Sequence, residues 1–223
     1  SYWQSLARLS FVVASNYSPL PLLNLTAFRT DIFHMSSILV RKPPTLARKT
    51  ATLHDMTCWI MPELHIPSNV AAAKESADRV ARRADGLIAV SEWTKQDAVR
   101  LLGLDPERFS VIYPGVADAF FDVTAADIAR VREHYQLTRP YVLFVGTLEP
   151  RKNLDRLLDA WEQLPPPLRE EFELVLAGPE GWGNANRVVA RAGVLSGVRY
   201  LRYVPEPDLA GLTAGATAFA YPS

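Results

Sequence analysis

Residues 141–158, YVLFVGTLEPRKNLDRLL, contain the pattern that decides the fold. An apolar run, Tyr141–Gly146, is followed by a short polar loop, and a helical pattern then begins near Asn153. A short continuous apolar run is typical of a strand that is buried on both faces, as in a parallel sheet flanked by helices. The stretch therefore predicts a strand, a loop and a helix of an α/β protein.

Strand and helix patterns alternate on both sides of this stretch, from about Asp31 onward. The expected strands are short and β-branched, whereas the expected helices carry charges and alanines at helical spacing. The predicted strands are residues 50–53, 86–90, 110–113, 172–178, 198–204 and 217–221, and the predicted helices are residues 70–84, 94–102, 125–135, 153–164 and 208–214. Ser91 is the expected N-cap of helix 94–102 and Gly103 its C-terminal stop. The triplet at residues 165–167 is expected to form a rigid loop.

Residues 117–139 do not continue the alternation of strand and helix patterns, because they hold one charged helical pattern followed by Thr138-Arg139-Pro140. Since the alternation restarts afterwards, we expect two α/β layers, each with a parallel sheet. The predicted boundaries are 1–122 for an N-terminal domain, 123–139 for an interdomain passage and 140–223 for a C-terminal domain.

The composition excludes several classes of protein. Of 223 residues, 48% are apolar, and 24 Lys and Arg balance 24 Asp and Glu, which argues against disorder and against binding of nucleic acid. The four histidines are scattered and there is one cysteine, so we expect no metal site. The single Cys58 also favours a reducing compartment, and we expect a cytoplasmic protein.

The N-terminal region has an uncharged stretch, residues 9–28, that is long enough to cross a bilayer. Pro19, Pro21 and several polar residues make a spanning helix unfavourable there. Residues 1–60 hold six Lys or Arg against two Asp, which favours peripheral contact with an anionic membrane at its inner face, or an ordinary solvated surface. Because the chain starts at Ser1 and stops at Ser223 without a closing helix, we expect a fragment of a longer protein.

The loop after the first quoted strand is the strongest candidate site, because ligands of open parallel sheets bind outside the carboxyl ends of the strands. Arg151 and Lys152 stand at the start of a helix, where free N–H groups and the dipole favour an anion. A diphosphate fits this position, with Arg151 as a bidentate donor, Lys152 as a point charge and Gly146 allowing close backbone approach. The alternative is a solvated basic loop whose cations pair with Glu149 and Asp155.

A second candidate, His54-Asp55, directly follows another predicted strand. His54 could donate a hydrogen bond to a hydroxyl or a phosphate, or act as an acid or base, and Asp55 could orient it. The alternative is a helix cap beside a histidine whose hydrogen bonds are satisfied. His34 has a weaker case of the same kind, and His65 and His134 are expected to be exposed to solvent.

Seven segments of the chain together carry a family resemblance. In chain order they are ATLHD (51–55), GLIAVSEWTKQD (86–97), FSVIYPGV (109–116), YVLFVGTLEPRKNLDRLLDAW (141–161), LVLAGPEGW (174–182), VRYLRYVPEPDL (198–209) and TAFAYPS (217–223). Their order and spacing resemble glycosyltransferase family 4 over residues 31–223. The resemblance implies the GT-B fold, in which two Rossmann-like domains face each other across a cleft. It also implies metal-independent, retaining transfer of a sugar from a nucleoside-diphosphate sugar to an acceptor hydroxyl.

The resemblance further implies roles for individual residues. Arg151 and Lys152 match the basic residues that neutralise the donor diphosphate, and His54 matches a histidine that faces the transferred sugar. These three are the implied catalytic residues, and no protein nucleophile is implied because the acceptor hydroxyl itself attacks. The implied donor-binding residues are Arg151 and Lys152 with Gly146 and Thr147 at the phosphate turn and Tyr203 and Val204 beside the nucleobase.

Two segments of the family pattern are not found between Ser1 and Ser223, a glycine-rich loop and a pair of glutamates that grips the donor sugar. We therefore expect the chain to hold part of a donor site and to be nearly inactive alone. The leading interpretation is a hexosyltransferase of polysaccharide or glycolipid assembly, with a saccharide or lipid-linked acceptor. The loop GTLEPRKN favours a mannosyltransferase that uses GDP-mannose. The alternatives are a non-catalytic module that binds sugar nucleotides or carbohydrate, and a nucleotide-sugar epimerase on the same fold.

Overall fold

The structure is a computed structural model that describes residues 30–36 and 46–223. The chain divides into two compact units, Ser1–Pro114 and Gly115–Ser223. Each unit holds one four-stranded sheet in which every pair of neighbouring strands is parallel. The predicted α/β class with two parallel sheets is therefore confirmed.

The first unit has its strands in sequential order, β1-β2-β3-β4. The strands are β1 (Ile32–Met35), β2 (Arg48–Leu53), β3 (Gly86–Ala89) and β4 (Phe109–Val111). The helices are α1 (Thr57–Ile60), α2 (Pro67–Arg83) and α3 (Glu92–Leu102). Because all neighbouring strands of this sheet are parallel, the carboxyl ends of all four strands lie at one edge.

Local signals in the first unit agree with the sequence. The Ser91 side chain accepts a hydrogen bond from the backbone N–H of Thr94, which caps α3 as predicted. Gly103 ends α3 in the left-handed region, at φ 61°. The alanine-rich face of α2 packs on the sheet, since Ala77, Val80 and Ala81 are buried with the strand residues in one core.

The second unit has the strand order β7-β6-β5-β8. Its strands are β5 (Tyr141–Val145), β6 (Glu173–Ala177), β7 (Val198–Arg202) and β8 (Ala218–Phe219). Its helices are α4 (Ala125–His134), α5 (Leu154–Glu162), α6 (Pro166–Glu171), α7 (Ala185–Val194) and α8 (Glu206–Ala214).

The second sheet is covered on both faces. Leu174 and Leu176 of β6 join a core with α5 and α7, whereas Val175 and Ala177 of the same strand join a core with α4 and α8. All five residues of β6 are buried, which explains why this strand is a continuous apolar run rather than an alternating one.

Residues 123–139, expected as an interdomain passage, contribute α4 to the second unit. Val131 of α4 is buried in the same core as Leu212 of α8. Asp208 of α8 accepts hydrogen bonds from Arg130 at 2.7 Å and from the Tyr135 hydroxyl at 2.9 Å. Along the chain, the division between the two compact units falls at Pro114-Gly115, whereas the predicted N-terminal domain ends at residue 122.

Several elements differ from the sequence expectation, among them β1 and α1, which were not predicted. The proline triplet is not a loop throughout, because Pro165 precedes α6 and the next two prolines form its first turn, where a missing N–H costs nothing. Helix α7 was not predicted, since Gly183 and Gly193 at its ends favour a loop.

No helix in residues 30–36 and 46–223 is long and apolar enough to span a bilayer. The uncharged stretch 9–28, on which the expected membrane contact rests, lies outside the described residues.

Candidate active site

The loops after β5 and β6 meet at the carboxyl edge of the second sheet. The Gly146 N–H donates to the Ala177 carbonyl at 2.8 Å, and the Leu148 N–H donates to the Pro179 carbonyl at 3.0 Å. Gly178 has φ 142°, and a Cβ built on it would overlap the Gly146 carbonyl oxygen. Only glycine permits this close approach, so both loops depend on the pair Gly146 and Gly178.

Gly146 and Thr147 form the turn that leaves β5. Gly146 has φ 156°, and an added Cβ would lie 3.2 Å from Cζ of Phe144. Among the described residues the backbone N–H of Thr147 donates to no other backbone group. The turn therefore presents an uncommitted donor at the strand end, as a phosphate site requires.

Arg151 and Lys152 lie in a single 3₁₀ turn, Pro150–Lys152, which precedes α5. Asn153 separates this turn from α5 and adopts the left-handed conformation, with φ 56°. Apart from glycine, asparagine is one of the few residues that adopt the left-handed conformation at little cost. The two cations therefore stand one residue before the helix that the sequence predicted to begin near them.

Arg151 forms an ion pair with Glu149, as the alternative interpretation of the loop proposed. Nη2 of Arg151 lies 2.5 Å from Oε1 of Glu149, and the Glu149 side chain is only 4% exposed. The pair is close but not aligned as a hydrogen bond. Within the described residues, Oε1 of Glu149 and the buried Nε of Arg151 have no hydrogen-bond partner. The contact of these two side chains is therefore an ion pair rather than a hydrogen bond.

Asp155, the other carboxylate suggested as a partner, is engaged elsewhere. It accepts hydrogen bonds from Asn184 and from Arg187, the latter at 2.5 Å. Burial raises the pKa of Asp155, but the hydrogen bonds and charges of Arg187, Asn184 and Arg191 outweigh it, so the net shift is downward. Asp155 therefore ties α5 to α7 and does not neutralise Lys152.

Lys152 contacts Tyr221, just beyond β8. Its Nζ lies 4.5 Å from the centroid of the Tyr221 ring and donates to the Tyr221 hydroxyl. The side-chain amide of Asn153 also donates to the Pro222 carbonyl at 3.3 Å. The sequence did not single out Tyr221, although its place after the strand next to β5 puts it at the same sheet edge.

Tyr203 and Val204 follow β7, two strands away from β5 at the same edge. Val204 is buried in the core beneath the loop, whereas the Tyr203 side chain is 68% exposed. The Gly178 N–H donates to the Arg202 carbonyl at 2.7 Å, which links this loop to the loop after β6. All six predicted donor-binding residues thus lie in loops along one edge of the second sheet.

The loop after β6 adds polar groups that the sequence did not single out. Nε1 of Trp182 and Oδ1 of Asn184 are buried and, in the described part of the chain, without a hydrogen-bond partner. Gly181 fits closely here, since an added Cβ would lie 2.7 Å from the Leu148 carbonyl oxygen. Paired glycines around a tryptophan are the sequence feature that could have drawn attention to this loop.

His54 lies in the first unit, at the carboxyl end of β2. Its Nε2 donates to the Ser36 carbonyl at 2.8 Å, so in the neutral ring Nδ1 is the acceptor. Asp55 accepts from the backbone N–H of Thr57 at 2.9 Å and orders the start of α1. The Thr94 hydroxyl donates to the His54 carbonyl at 3.2 Å, which joins β2 to the start of α3. This geometry matches the alternative of a helix cap beside a hydrogen-bonded histidine.

Two of the other histidines, His34 and His65, are hydrogen-bonded to threonine side chains. His34 bridges the hydroxyls of Thr50 and Thr52, at 2.9 and 3.1 Å. His65 is half-buried and hydrogen-bonded to Thr57, so its expected exposure was wrong, whereas His134 is exposed as expected. Residues 30–36 and 46–223 contain no group of three or more His, Cys, Asp or Glu that could hold a metal ion.

An apolar cavity of about 280 Å³ lies in the second unit. Its lining residues are Phe120, Val145, Leu209, Thr213 and Phe219. None of these five side chains carries a charge, so this cavity does not suit a diphosphate.

Two family models match the chain, one on each side of residues 121–126. The model described as Glycosyltransferase Family 4 matches residues 17–120, and the model described as Glycosyl transferases group 1 matches residues 127–223. Together they support the resemblance seen in the seven ordered segments.

Curated proteins with similar sequences are glycosyltransferases. O-antigen chain mannosyltransferase B of Escherichia coli is 31% identical over 202 residues, which cover 89% of this chain and 52% of that protein. D-inositol 3-phosphate glycosyltransferase 2 of Catenulispora acidiphila is 35% identical over 158 residues, 66% of this chain and 36% of that protein. The chain thus spans about half the length of the first relative and about a third of the length of the second.

Solved structures with the same fold include HepE of Anabaena in complex with UDP and glucose. It shares 23% identity with a TM-score of 0.69, over 91% of this chain and 56% of that one. WaaG, a glycosyltransferase involved in lipopolysaccharide biosynthesis, shares 19% identity with a TM-score of 0.66, over 90% of this chain and 55% of that one. These likenesses confirm the GT-B fold.

Proposed function

This chain belongs to the glycosyltransferases that combine a family 4 domain with a group 1 domain, and we propose that it transfers a hexose from a nucleoside-diphosphate sugar to an acceptor hydroxyl. The transfer proceeds with retention and serves the assembly of a polysaccharide or glycolipid. The observation that carries the proposal is the meeting of Gly146, Arg151 and Lys152 at the carboxyl edge of the second sheet.

The donor diphosphate binds at the turn of Gly146 and Thr147. Since Glu149 balances the charge of Arg151, Lys152 is the cation of this loop that supplies net positive charge. The Thr147 N–H contributes a backbone donor. A backbone donor and one uncompensated cation suit a diphosphate better than a neutral ligand.

The nucleoside extends along the sheet edge toward Tyr203 and Val204. Neighbouring strands are about 4.8 Å apart, so β7 lies about 10 Å from β5. A nucleoside diphosphate can extend over this distance, with the base at the loop after β7. Burial of Val204 holds the backbone of that loop in place for contacts with the base.

The chemical step needs stabilisation of the departing diphosphate, where negative charge develops in the transition state. Lys152, Arg151 and the Thr147 N–H are the groups of this chain that supply it. The acceptor hydroxyl is the nucleophile, and the family resemblance is the support for a role of His54 toward the transferred sugar. No side chain of the described residues is assigned as a covalent nucleophile.

Mannose is the proposed sugar and GDP-mannose the proposed donor. The support is the similarity to O-antigen chain mannosyltransferase B and to the serotype-specific mannosyltransferase WbdA, both of Escherichia coli. The acceptor is a saccharide or a lipid-linked saccharide. We place the protein in the cytoplasm, at the inner membrane face, on the basic charge of residues 1–60.

The test is a transfer assay of the full-length protein with GDP-mannose, GDP-glucose and UDP-glucose on a mannan acceptor. Lys152→Ala is expected to lower kcat/KM by about 100-fold or more, as removal of a charged transition-state contact does. Arg156→Ala, at an exposed arginine of α5, is the matched control and keeps activity. Anomeric signals in a proton NMR spectrum of the product then report retention. Near-normal activity of Lys152→Ala contradicts the assignment of the phosphate site.

A further inference from the structure

A row of three aromatic rings lies beside Lys152. The ring of Tyr221 stacks on the buried Phe144 of β5, with centroids 5.7 Å apart and planes 13° apart. On its other side is Phe219 of β8, at 6.1 Å and 19°. Because β5 and β8 are paired in register, the row is fixed by the sheet. Tyr221 is therefore held in a defined position although 47% of it is exposed.

Two consecutive residues, Lys152 and Asn153, contact the segment that follows β8. The Lys152 ammonium donates to the Tyr221 hydroxyl and lies 4.5 Å from the centroid of its ring, and the Asn153 amide donates to the Pro222 carbonyl. Gly146 lies against the same rings, since a Cβ built on it would be 3.2 Å from Phe144 and 3.9 Å from Cε2 of Tyr221. The phosphate turn, the lysine and the tyrosine thus form one contact cluster.

A neutral partner affects a lysine differently from a carboxylate partner. A carboxylate neutralises the cation, as Glu149 does for Arg151, and so weakens its attraction for an anion. The Tyr221 hydroxyl is a neutral acceptor, so it orients the ammonium and leaves the positive charge intact. It also removes rotamer freedom from a long side chain before the ligand arrives.

We propose that Tyr221 is a positioning residue that holds the Lys152 ammonium beside the Gly146 turn, so that the cation is in place for a diphosphate. The inference rests on the proposed function of the loop as the diphosphate site. It assigns the effect to the hydrogen bond from Lys152 to the Tyr221 hydroxyl, acting through Lys152, and not to direct contact of that hydroxyl with the ligand.

A double-mutant cycle tests the proposal, with binding of GDP and of inorganic pyrophosphate measured by titration calorimetry. Lys152→Met is expected to weaken both ligands about 10- to 100-fold, the range for loss of a charged hydrogen bond. Tyr221→Leu is expected to weaken both about 3- to 30-fold, because it removes a hydrogen bond with a charged donor at a half-exposed site. In the Lys152→Met background, Tyr221→Leu is expected to change affinity less than about twofold, because its effect passes through the lysine.

Further variants separate the hydroxyl from the ring and from folding. Tyr221→Phe keeps the ring, removes the hydroxyl and is expected to lose nearly as much affinity as Tyr221→Leu. Tyr221→Met keeps apolar volume and is expected to lose affinity like Tyr221→Leu, so it replaces the leucine variant if that variant does not fold. Phe121→Leu, at another exposed aromatic residue of the second unit, is the control and is expected to bind normally.

Three results would contradict the account. An equal loss from Tyr221→Leu in both lysine backgrounds overturns the positioning role, because the tyrosine then acts without the lysine. Binding by Tyr221→Phe within about twofold of the original protein overturns the assignment to the hydroxyl. Unchanged binding by Lys152→Met instead contradicts the proposed function of the loop.

Discussion

Glu149 and Arg151 form a close ion pair at the entrance to α5, with Oε1 of the nearly buried carboxylate 2.5 Å from Nη2 of the guanidinium. Because of this pair, the two cations of the basic loop have different roles. Arg151 compensates a buried charge, whereas Lys152 donates to a neutral hydroxyl and keeps its charge. Substitutions at the two cations should therefore have different effects on stability.

Arg151→Met is expected to destabilise the protein, because it leaves Glu149 buried without its cation. The expected loss is about 2–3 kcal/mol in the free energy of unfolding, less than for a fully buried pair since Arg151 is 26% exposed. The double variant Glu149→Gln/Arg151→Met should regain most of this stability without regaining GDP affinity. Urea denaturation and calorimetry measure the two quantities, and an equal loss of stability in single and double variants rejects the ion-pair explanation.

Gly178→Ala is expected to cost about 2–4 kcal/mol, because its Cβ would overlap the Gly146 carbonyl and its φ is 142°. Gly193→Ala in α7 is the matched control. An added Cβ meets nothing within 4 Å there, so the helix should gain about 0.5–1 kcal/mol. Thermal unfolding shows whether each variant is less or more stable than the original protein. A Gly178→Ala variant of unchanged stability would show that the two loops do not meet as described.

Tyr135 links α4 to α8 and should make stability depend on alkaline pH. Burial, with the hydrogen bond to Asp208, raises the pKa of Tyr135 to about 12 from an ordinary value of 10.0. A pKa that is higher in the folded protein gives stability that is complete below pH 10 and is lost as pH rises toward about 12. Tyr135→Phe removes this dependence and costs about 1 kcal/mol at pH 7. Denaturation curves at pH 8 and 11 provide the comparison, and identical pH slopes for the two proteins contradict it.

Asp155 and Asp208 should make stability depend on acidic pH. The pKa of Asp208 is lowered by its hydrogen bond to Arg130, against burial, and that of Asp155 is lowered by Arg187 and Asn184, which outweigh burial. A lowered pKa gives stability that is present above the ordinary value of 3.8 and is lost as pH falls below it. Asp155→Asn should flatten the slope of the free energy of unfolding between pH 4 and 2. A slope that stays the same would show that Asp155 is not held as an anion.

The sequence predicted most of the framework, because buried parallel strands leave continuous apolar runs such as 141–146 and 172–178. It could not predict α7, where glycines flank the apolar positions, nor the packing of α4 on the second unit, which depends on Asp208 far along the chain.

The candidate site was predicted in part. Arg151, Lys152 and Gly146 stand together in the chain, so their meeting follows from local spacing. The contact of Lys152 with Tyr221 joins residues 69 positions apart, and only the pairing of β5 with β8 brings them together. The ion pair of Glu149 was one of two open interpretations, and the sequence could not show that its carboxylate is buried.

A crystal structure of the protein with GDP tests the central claim most directly. The account predicts the diphosphate at the Gly146 turn, with oxygens about 3 Å from Nζ of Lys152 and from the Thr147 N–H. The Lys152 ammonium should still donate to the Tyr221 hydroxyl in that complex. A diphosphate bound away from this turn, with Lys152 in contact with Tyr221 alone, would contradict the account.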